Sequence, residues 1–275
     1  MIPFSVVIIT RNEEQFLPQC LQSLNGLGNE IIVVDDYSTD RTPEICKSWR
    51  VRYIQHHFEG HIEQKNFALS QASHPWVLSL DADETLTDTL RDSIRQVMQA
   101  PDCDGYSFNR LNYYCGKPIR HGGWYPDRKL RLFNRTKGRW DGINPHDTVV
   151  MKPGSRIRKI KGPLKHHAYD SVREHIDKVY RYTDIYSRDF ISKEKSAGLR
   201  HLLVNPFWKL VRNYFLRLGF LDGKEGLYIS AIQAWETYMK YHKILQIKRM
   251  NTKTGHAAPV PEVSPIVLRP NRKAG

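Results

Sequence analysis

Trp76-Val77-Leu78-Ser79-Leu80-Asp81-Ala82-Asp83-Glu84 decides how this chain folds. An apolar run without helical periodicity enters a cluster of acids, which predicts a strand buried on both faces with a polar end. The pattern recurs upstream. Ser5 to Thr10 is β-branched and apolar, and it runs into Arg11-Asn12-Glu13-Glu14. Glu30-Ile31-Ile32-Val33-Val34 ends in Asp35-Asp36, and Val51-Arg52-Tyr53-Ile54 is a further strand. Helical patterns lie between them. Phe16, Leu17, Cys20, Leu21 and Leu24 mark one, ended by Gly26 and Gly28. Thr42 to Trp49 is a second, with Pro43 in its first turn after Ser38 and Thr39, and Ile62 to Ala72 is a third.

Strands alternating with helices over some 85 residues form the βαβ pattern of a parallel sheet covered on both faces. Such a sheet carries its ligand at the carboxyl ends of its strands. Arg11-Asn12-Glu13, Asp35-Asp36 and Asp81-Ala82-Asp83-Glu84 should therefore converge on one crevice. Thr87 to Ala100 reads as a helix with Leu90, Ile94 and Val97 on one side. Residues 101–165 are rich in Tyr, Gly, Arg and Pro and read as mixed β structure and long loops. From Ser171 to Arg249 the pattern is helical. The expected domains are 1–165 for binding and catalysis, 166–250 as a helical extension, and 251–275, with four prolines, as a flexible tail.

Composition bounds the partners. The net charge of +13 attracts anions: nucleic acid, a phosphorylated substrate or an anionic membrane. Nucleic acid is not expected, since no helix-turn-helix, zinc-finger or aromatic RNP signature occurs and acids concentrate at strand ends. A nucleotidyltransferase would show a Gly-rich basic loop after its first strand, and Thr10-Arg11-Asn12-Glu13-Glu14 has no glycine. Cysteines 20, 46, 103 and 115 form no C-x-x-C pair and are expected as free thiols. The N-terminal segment lacks a basic n-region and a cleavage site, and no run of about 18 apolar residues occurs. A cytoplasmic location is expected.

In extended geometry Asp81 and Asp83 point the same way. Two carboxylates so placed suit Mg2+ or Mn2+ with positions left open for phosphate oxygens. Alone, the same residues read equally well as acids preceding the next helix. Asp35-Asp36 can accept hydrogen bonds from a base N–H or a ribose hydroxyl, whereas Ser38-Thr39-Asp40 reads as a helix cap.

The ordered set Val7-Ile8-Ile9-Thr10-Arg11-Asn12-Glu13-Glu14, Val33 to Thr42, and Leu80-Asp81-Ala82-Asp83-Glu84 resembles the family 2 glycosyltransferases over about residues 3–150. The resemblance implies the GT-A fold: α/β, Rossmann-like, a mostly parallel sheet with helices on both faces, here with a C-terminal helical extension. It also implies a UDP-sugar donor, a divalent metal and inversion at the anomeric carbon. By position, Asp36 resembles the uracil-contacting acid, Thr10 and Glu13 wall residues of the nucleotide pocket, and Lys65 a basic residue near the nucleotide. Asp81 resembles the ribose or diphosphate contact and Asp83 the metal ligand. Gly60 to Asn66, Gly123 to Asp127, Arg131-Leu132-Phe133 and Gly219 to Gly223 are similar to the lipopolysaccharide core heptose I β-1,4-glucosyltransferase subfamily. That implies an anionic lipid-linked oligosaccharide acceptor and a peripheral place on the cytoplasmic face of the inner membrane.

Inversion needs a general base on the acceptor hydroxyl. Asn144-Pro145-His146-Asp147 supplies the best candidate, Asp147, where the subfamily usually has His-Glu; Asp141 is a second. His146 reads as a metal ligand, an orienting group or a structural histidine. Arg128, Lys129, Arg131 and Arg135 crowd one region. Alternation puts Lys129 and Arg131 on one face, either against a diphosphate or anionic acceptor or as a solvated basic edge. Trp124 and Tyr125 read as ring-stacking or as core. Leu199 to Leu221 carries Leu202, Leu203, Phe207, Leu210, Val211, Tyr214 and Leu218 at helical spacing among Arg200, Lys209, Arg212 and Arg217. It reads as a basic amphipathic helix at a membrane interface, or as one packed on the catalytic domain with Pro206 splitting it in two.

Overall fold

A computed structural model describes residues 1–143, 146–192 and 198–254. Two compact units are present. The first comprises Met1–Leu111 and Asp127–His166, and the second comprises Asn112–Pro126 and the described residues from His167 on. The expected tail, past Thr254, lies outside the described residues.

In the first unit the apolar runs form β1 (Phe4–Thr10), β2 (Glu30–Asp35), β3 (Arg52–Gln55) and β4 (Trp76–Asp81), all parallel, in the order β3-β2-β1-β4. Because successive side chains alternate, each strand feeds two cores. Phe4, Val6 and Ile8, with Val33, Leu78 and Leu80, pack with α1 (Leu17–Ser23) and α4 (Asp88–Val97). Val7, Ile32, Val34 and Val77 pack with Ala68, Leu69 and Ala72 from α3 (His61–Gln71) or just beyond it. Burying one such side chain contributes about 1.5–3 kcal/mol. The helix α2 (Thr42–Ser48) sends Cys46 into the first core. Leu90, Ile94 and Val97 are the buried face of α4, and the Thr87 hydroxyl caps its start by accepting from Leu90 N–H.

Beyond β4 the sheet becomes mostly antiparallel, with one short parallel pairing. After β5 (Glu84–Leu86) come β6 (Gly105–Tyr114), β7 (Lys117–Pro118) and β8 (Asp127–Asn134), and the path runs β4-β8-β6-β12-β5, with β12 at Leu164–Tyr169. β9 (Gly138–Ile143) and β10 (His146–Met151) form a separate antiparallel pair, and β11 (Ile157–Lys159) pairs with β6. The register decides where chemistry can occur. Thr10 lies opposite Asp35 and Ile9 opposite Asp81, so the polar ends of β1, β2 and β4 share one edge of the sheet.

The second unit is helical: α5 (Val172–Ser192), α6 (Leu199–Val211) and α7 (Lys224–Thr254), with α5 and α6 packed on α7. Its aromatic core joins Tyr114, Ile119 and Ile229 with Trp124, Tyr169 and Val172. Pro206 does not split the helix; α6 continues through it. The break comes later, where a π-helical turn at Arg212–Leu216 is followed by Leu218 in a left-handed conformation and a 3-10 turn at Gly219–Asp222. Gly226 permits that corner, since a Cβ there would sit 1.9 Å from the Gly219 carbonyl oxygen. The apolar stripe expected along 199–221 is also redistributed: Leu202, Leu210, Val211 and Tyr214 are half-buried, whereas Leu203, Phe207 and Leu218 are exposed. Cys20 and Cys46 are buried free thiols, Cys103 is half-buried and Cys115 exposed. Among the described residues no helix is long and apolar enough to cross a membrane.

Gly162, at φ +88°, holds the turn before β12 against α4; a Cβ there would lie 2.3 Å from Leu90 N and 2.6 Å from its Cα. Both the backbone strain and the clash oppose a side chain. Gly162→Ala is expected to destabilise the protein by about 2–4 kcal/mol, read as a lowered denaturation midpoint; an unchanged midpoint contradicts this packing.

Candidate active site

The loops after β1 and β2 lock into each other. Asp36 N–H donates to the Thr10 carbonyl (3.0 Å), Asn12 N–H to Ser38 Oγ (2.7 Å), and Thr39 N–H to Asn12 Oδ1 (2.8 Å). Asn12 and Tyr37 take positive φ to make these turns. The paired acids divide. Asp35 is fully buried and accepts from Ser38 N–H, Ser38 Oγ and Tyr53 Oη (2.7 Å), so it is structural. Burial and the Asp35 bond push the Tyr53 hydroxyl up, keeping it a donor. Asp36 points elsewhere: it pairs with Arg11 and accepts from Phe58 N–H (3.2 Å). Beside it the Thr10 hydroxyl is buried with no hydrogen-bond partner among the described residues. Glu13 is half-buried on the same loop, its N–H donating to Thr42 Oγ1 (3.0 Å). Thr10 and Asp36 thus meet at the ends of β1 and β2, and Glu13 follows in the loop after β1.

At the end of β4 a chain of alternating charges begins. Lys65 Nζ lies 3.1 Å from Asp81 Oδ1 and 2.7 Å from Asp147 Oδ2. Arg131 Nη2 lies 2.9 Å from Asp81 Oδ2 and 2.7 Å from Glu84 Oε1. Arg110 continues from Glu84 (3.4 Å) to Asp127 (2.9 Å). Burial alone would raise the Asp81 carboxyl, but Lys65 and Arg131 hold it well below the usual carboxylate range. Burial would also lower Arg131, and Glu84 and Asp81 overcome it, so the guanidinium stays charged. Nearby His61, at the start of α3, is pushed down by burial and by Lys65, which keeps its imidazole neutral at pH 7. The indole of Trp140 lies against both cations, 4.4 Å from Lys65 Nζ and 5.1 Å from the Arg131 guanidinium. Asn66 fixes Trp140 by exchanging two bonds with its backbone (2.9 and 3.0 Å).

One expectation changes here, and two residues that read in two ways take one of them. Arg131 is no solvated edge; it is 3% exposed at the centre of the network, while Arg128 on the same strand is exposed and Lys129 pairs with Asp127. Asp81 and Asp83 do not share an extended stretch. β4 stops at Asp81, and Ala82 and Asp83 form a turn, because Glu84 folds back to accept from Asp81 N–H (3.1 Å). Asp83 consequently meets a different partner, His166 Nε2 at 3.4 Å. Trp124 packs edge-on to Tyr114 and near Tyr169 in the second unit's core, rather than standing out as a platform.

Asp147 belongs to the charge network, on β10 opposite Gly142. Asp141 is bonded instead to Arg139 (3.1 Å) and Gly142 N–H (2.8 Å) and is half-exposed. The side chain of His146, and Asn144 and Pro145 before it, lie outside the described residues. Glu84, Arg110, Trp140 and His166 were not singled out from the sequence. Glu84 was visible as the last acid of Asp81-Ala82-Asp83-Glu84, but His166 reaches Asp83 only because β12 places it opposite Glu84.

Among the described residues no three His, Cys, Asp or Glu side chains form a metal-sized group. Asp83 and His166 nonetheless pair a carboxylate oxygen with an imidazole nitrogen, a donor set that suits a divalent cation whose remaining ligands are phosphate and water.

The chain is similar to several known proteins. A lipopolysaccharide core biosynthesis glycosyltransferase, LpsC of Rhizobium meliloti (strain 1021), is 29% identical over 87% of this chain and 93% of its own length. An uncharacterized glycosyltransferase, RT0209, of Rickettsia typhi is 28% identical over 90% of this chain and 88% of its own. Among solved structures, S. aureus TarS 1-349 in complex with UDP-GlcNAc aligns over 92% of both chains at 14% identity with a TM-score of 0.44. The family profile described as Glycosyl transferase family 2 matches residues 5–162, more than half of the 275 residues. This chain belongs to glycosyl transferase family 2 and is a glycosyltransferase of the GT-A fold.

Proposed function

We propose that the chain moves a hexose, glucose from UDP-glucose, onto a heptose of the lipopolysaccharide inner core with inversion at the anomeric carbon. The observation that carries this reading is the meeting, at one sheet edge, of a polar corner (Thr10, Asp36) with the largely buried network Asp147–Lys65–Asp81–Arg131. The acceptor rests on the likeness of Gly60 to Asn66 and Gly123 to Asp127 to the heptose glucosyltransferases, and on the LpsC relative. Another surface polysaccharide or lipid acceptor is the alternative within the same fold.

The residues divide the work. Asp36 and Thr10 take the base and sugar edge of the nucleoside, with Glu13 in the pocket wall. Asp81 orients the ribose–diphosphate side. Asp83, with His166, would hold Mg2+ or Mn2+, which when bound neutralises charge on the diphosphate. Asp147 accepts the proton of the acceptor hydroxyl as that oxygen bonds to the anomeric carbon. The anomeric C–O bond to the diphosphate breaks, and UDP leaves with the electron pair. Lys65 and Arg131 lie in the network facing that leaving charge, where desolvated cations stabilise it most.

Calorimetry of UDP with Mn2+ or Mg2+ tests the donor half; affinity that does not depend on the metal overturns it. Asp83→Ala should lose that metal-dependent part while melting as the parent protein does. Asp147→Asn should bind UDP normally and transfer about 10²–10⁴-fold more slowly, the range of a lost general base. Normal turnover in Asp147→Asn removes it from that role. Turnover of UDP-glucose against truncated core lipopolysaccharides, compared with other donors, tests the sugar and acceptor.

A further inference from the structure

The second unit carries an apolar face that the transfer chemistry does not use. Leu203, Val204, Phe207 and Trp208 of α6 are exposed, Phe207 by 67% and Trp208 by 53%. They form two i, i+4 pairs and so share one face of the helix. The π turn that continues α6 adds Phe215 and Leu216, 56% and 62% exposed. The 3-10 turn packs on the π turn and adds Phe220 and Leu221, with Tyr214 meeting the rings of both Phe215 and Phe220. Single exposed apolar residues are ordinary; this many large ones on consecutive elements mark a contact surface.

The charge on these elements has one sign. Arg200, Lys209, Arg212, Arg217 and Lys224 lie along the segment. Its acids are spent internally: Asp222 is buried and accepts from the Arg120 and His121 amides, and Glu225 is buried against Lys117. Burial and the neighbouring cations Arg212, Lys240 and Arg217 push Lys209 down against the opposing pull of Glu236 on α7.

We infer that this face seats the protein on an anionic phospholipid bilayer, with Phe207, Trp208, Phe215 and Leu216 entering the headgroup–acyl boundary and Arg200, Arg212 and Arg217 meeting lipid phosphates. A bilayer interface supplies both halves of the match, an apolar layer beneath a negative surface. A second copy of this chain supplies only one, because a twofold contact sets the same cations against each other. The inference uses no residue of the catalytic site, so vesicle binding and donor turnover fail independently.

The test is co-sedimentation of the full chain with phosphatidylcholine vesicles, with and without phosphatidylglycerol, at low and high salt. The protein should pellet with the phosphatidylglycerol vesicles and be released by salt. Phe207→Ser/Trp208→Ser and, separately, Phe215→Ser/Leu216→Ser should each weaken partition about tenfold or more, with UDP binding unchanged. Two variants guard against one that fails to melt cooperatively. Protein that stays in the supernatant at low salt, or variants that pellet as the parent does, overturn the inference. So does a concentration-dependent dimer, lost in the same variants, without vesicle binding.

Discussion

Two buried cations set the terms for the first unit. Lys65 and Arg131 have side chains 5% and 3% exposed, and Glu84 is not exposed at all. A buried charge deprived of its partner costs about 3–5 kcal/mol, so these groups must stay together. They come from α3, β8 and β5, and their other partners come from the end of β4 and from β10. Five elements are thereby held to one point by charge as well as by the apolar layers behind them. Trp140 closes the arrangement from β9, offering its ring to both cations while Asn66, next to Lys65, holds its backbone. The run Gln64-Lys65-Asn66 therefore has three tasks: Gln64 binds His56, Lys65 joins two acids, and Asn66 anchors β9.

The parallel half of the fold was legible because local pattern and global packing agree there. Strands buried on both faces leave no room for charge in their middles, so β1, β2 and β4 each announce their end with an acid or an arginine. The register of β1 with β2 and β4 then brings Thr10, Asp36 and Asp81 to one edge without any further signal. Legibility stopped where the deciding partner is distant. Lys129-Leu130-Arg131-Leu132 alternates like a half-solvated strand, and nothing local says that Arg131 is buried. The acids that draw it in lie 50 and 47 residues away. Asp81-Ala82-Asp83 failed in the opposite way: extended geometry is a fair local default, but Glu84 reaching back to Asp81 N–H forces a turn and sends Asp83 towards His166.

The second unit shows the same limit. Pro206 is the strongest helix breaker in its segment, yet α6 runs through it. The chain bends instead at Leu218, where Gly219 and Gly226 approach more closely than any side chain allows. Asp222 then turns its carboxylate onto the Arg120 and His121 amides and ties the corner to the loop that carries Trp124. A glycine pair whose purpose is mutual approach is silent until both partners are placed, whereas a proline is conspicuous from the start.

The shared ammonium of Lys65 bears directly on the proposed chemistry. The proposed base, Asp147, lies 2.7 Å from the buried ammonium of Lys65. Asp81 lies 3.1 Å from the same Nζ, so the two carboxylates share one cation. Once Asp147 is protonated its claim on Lys65 weakens, and the ammonium's field falls more fully on the Asp81 side, where the proposed reading places the departing diphosphate. On that reading one cation serves the base before transfer and the leaving group during it. Such a coupling needs a dry, rigid setting, and the stacked Trp140 and the paired Arg131 supply it.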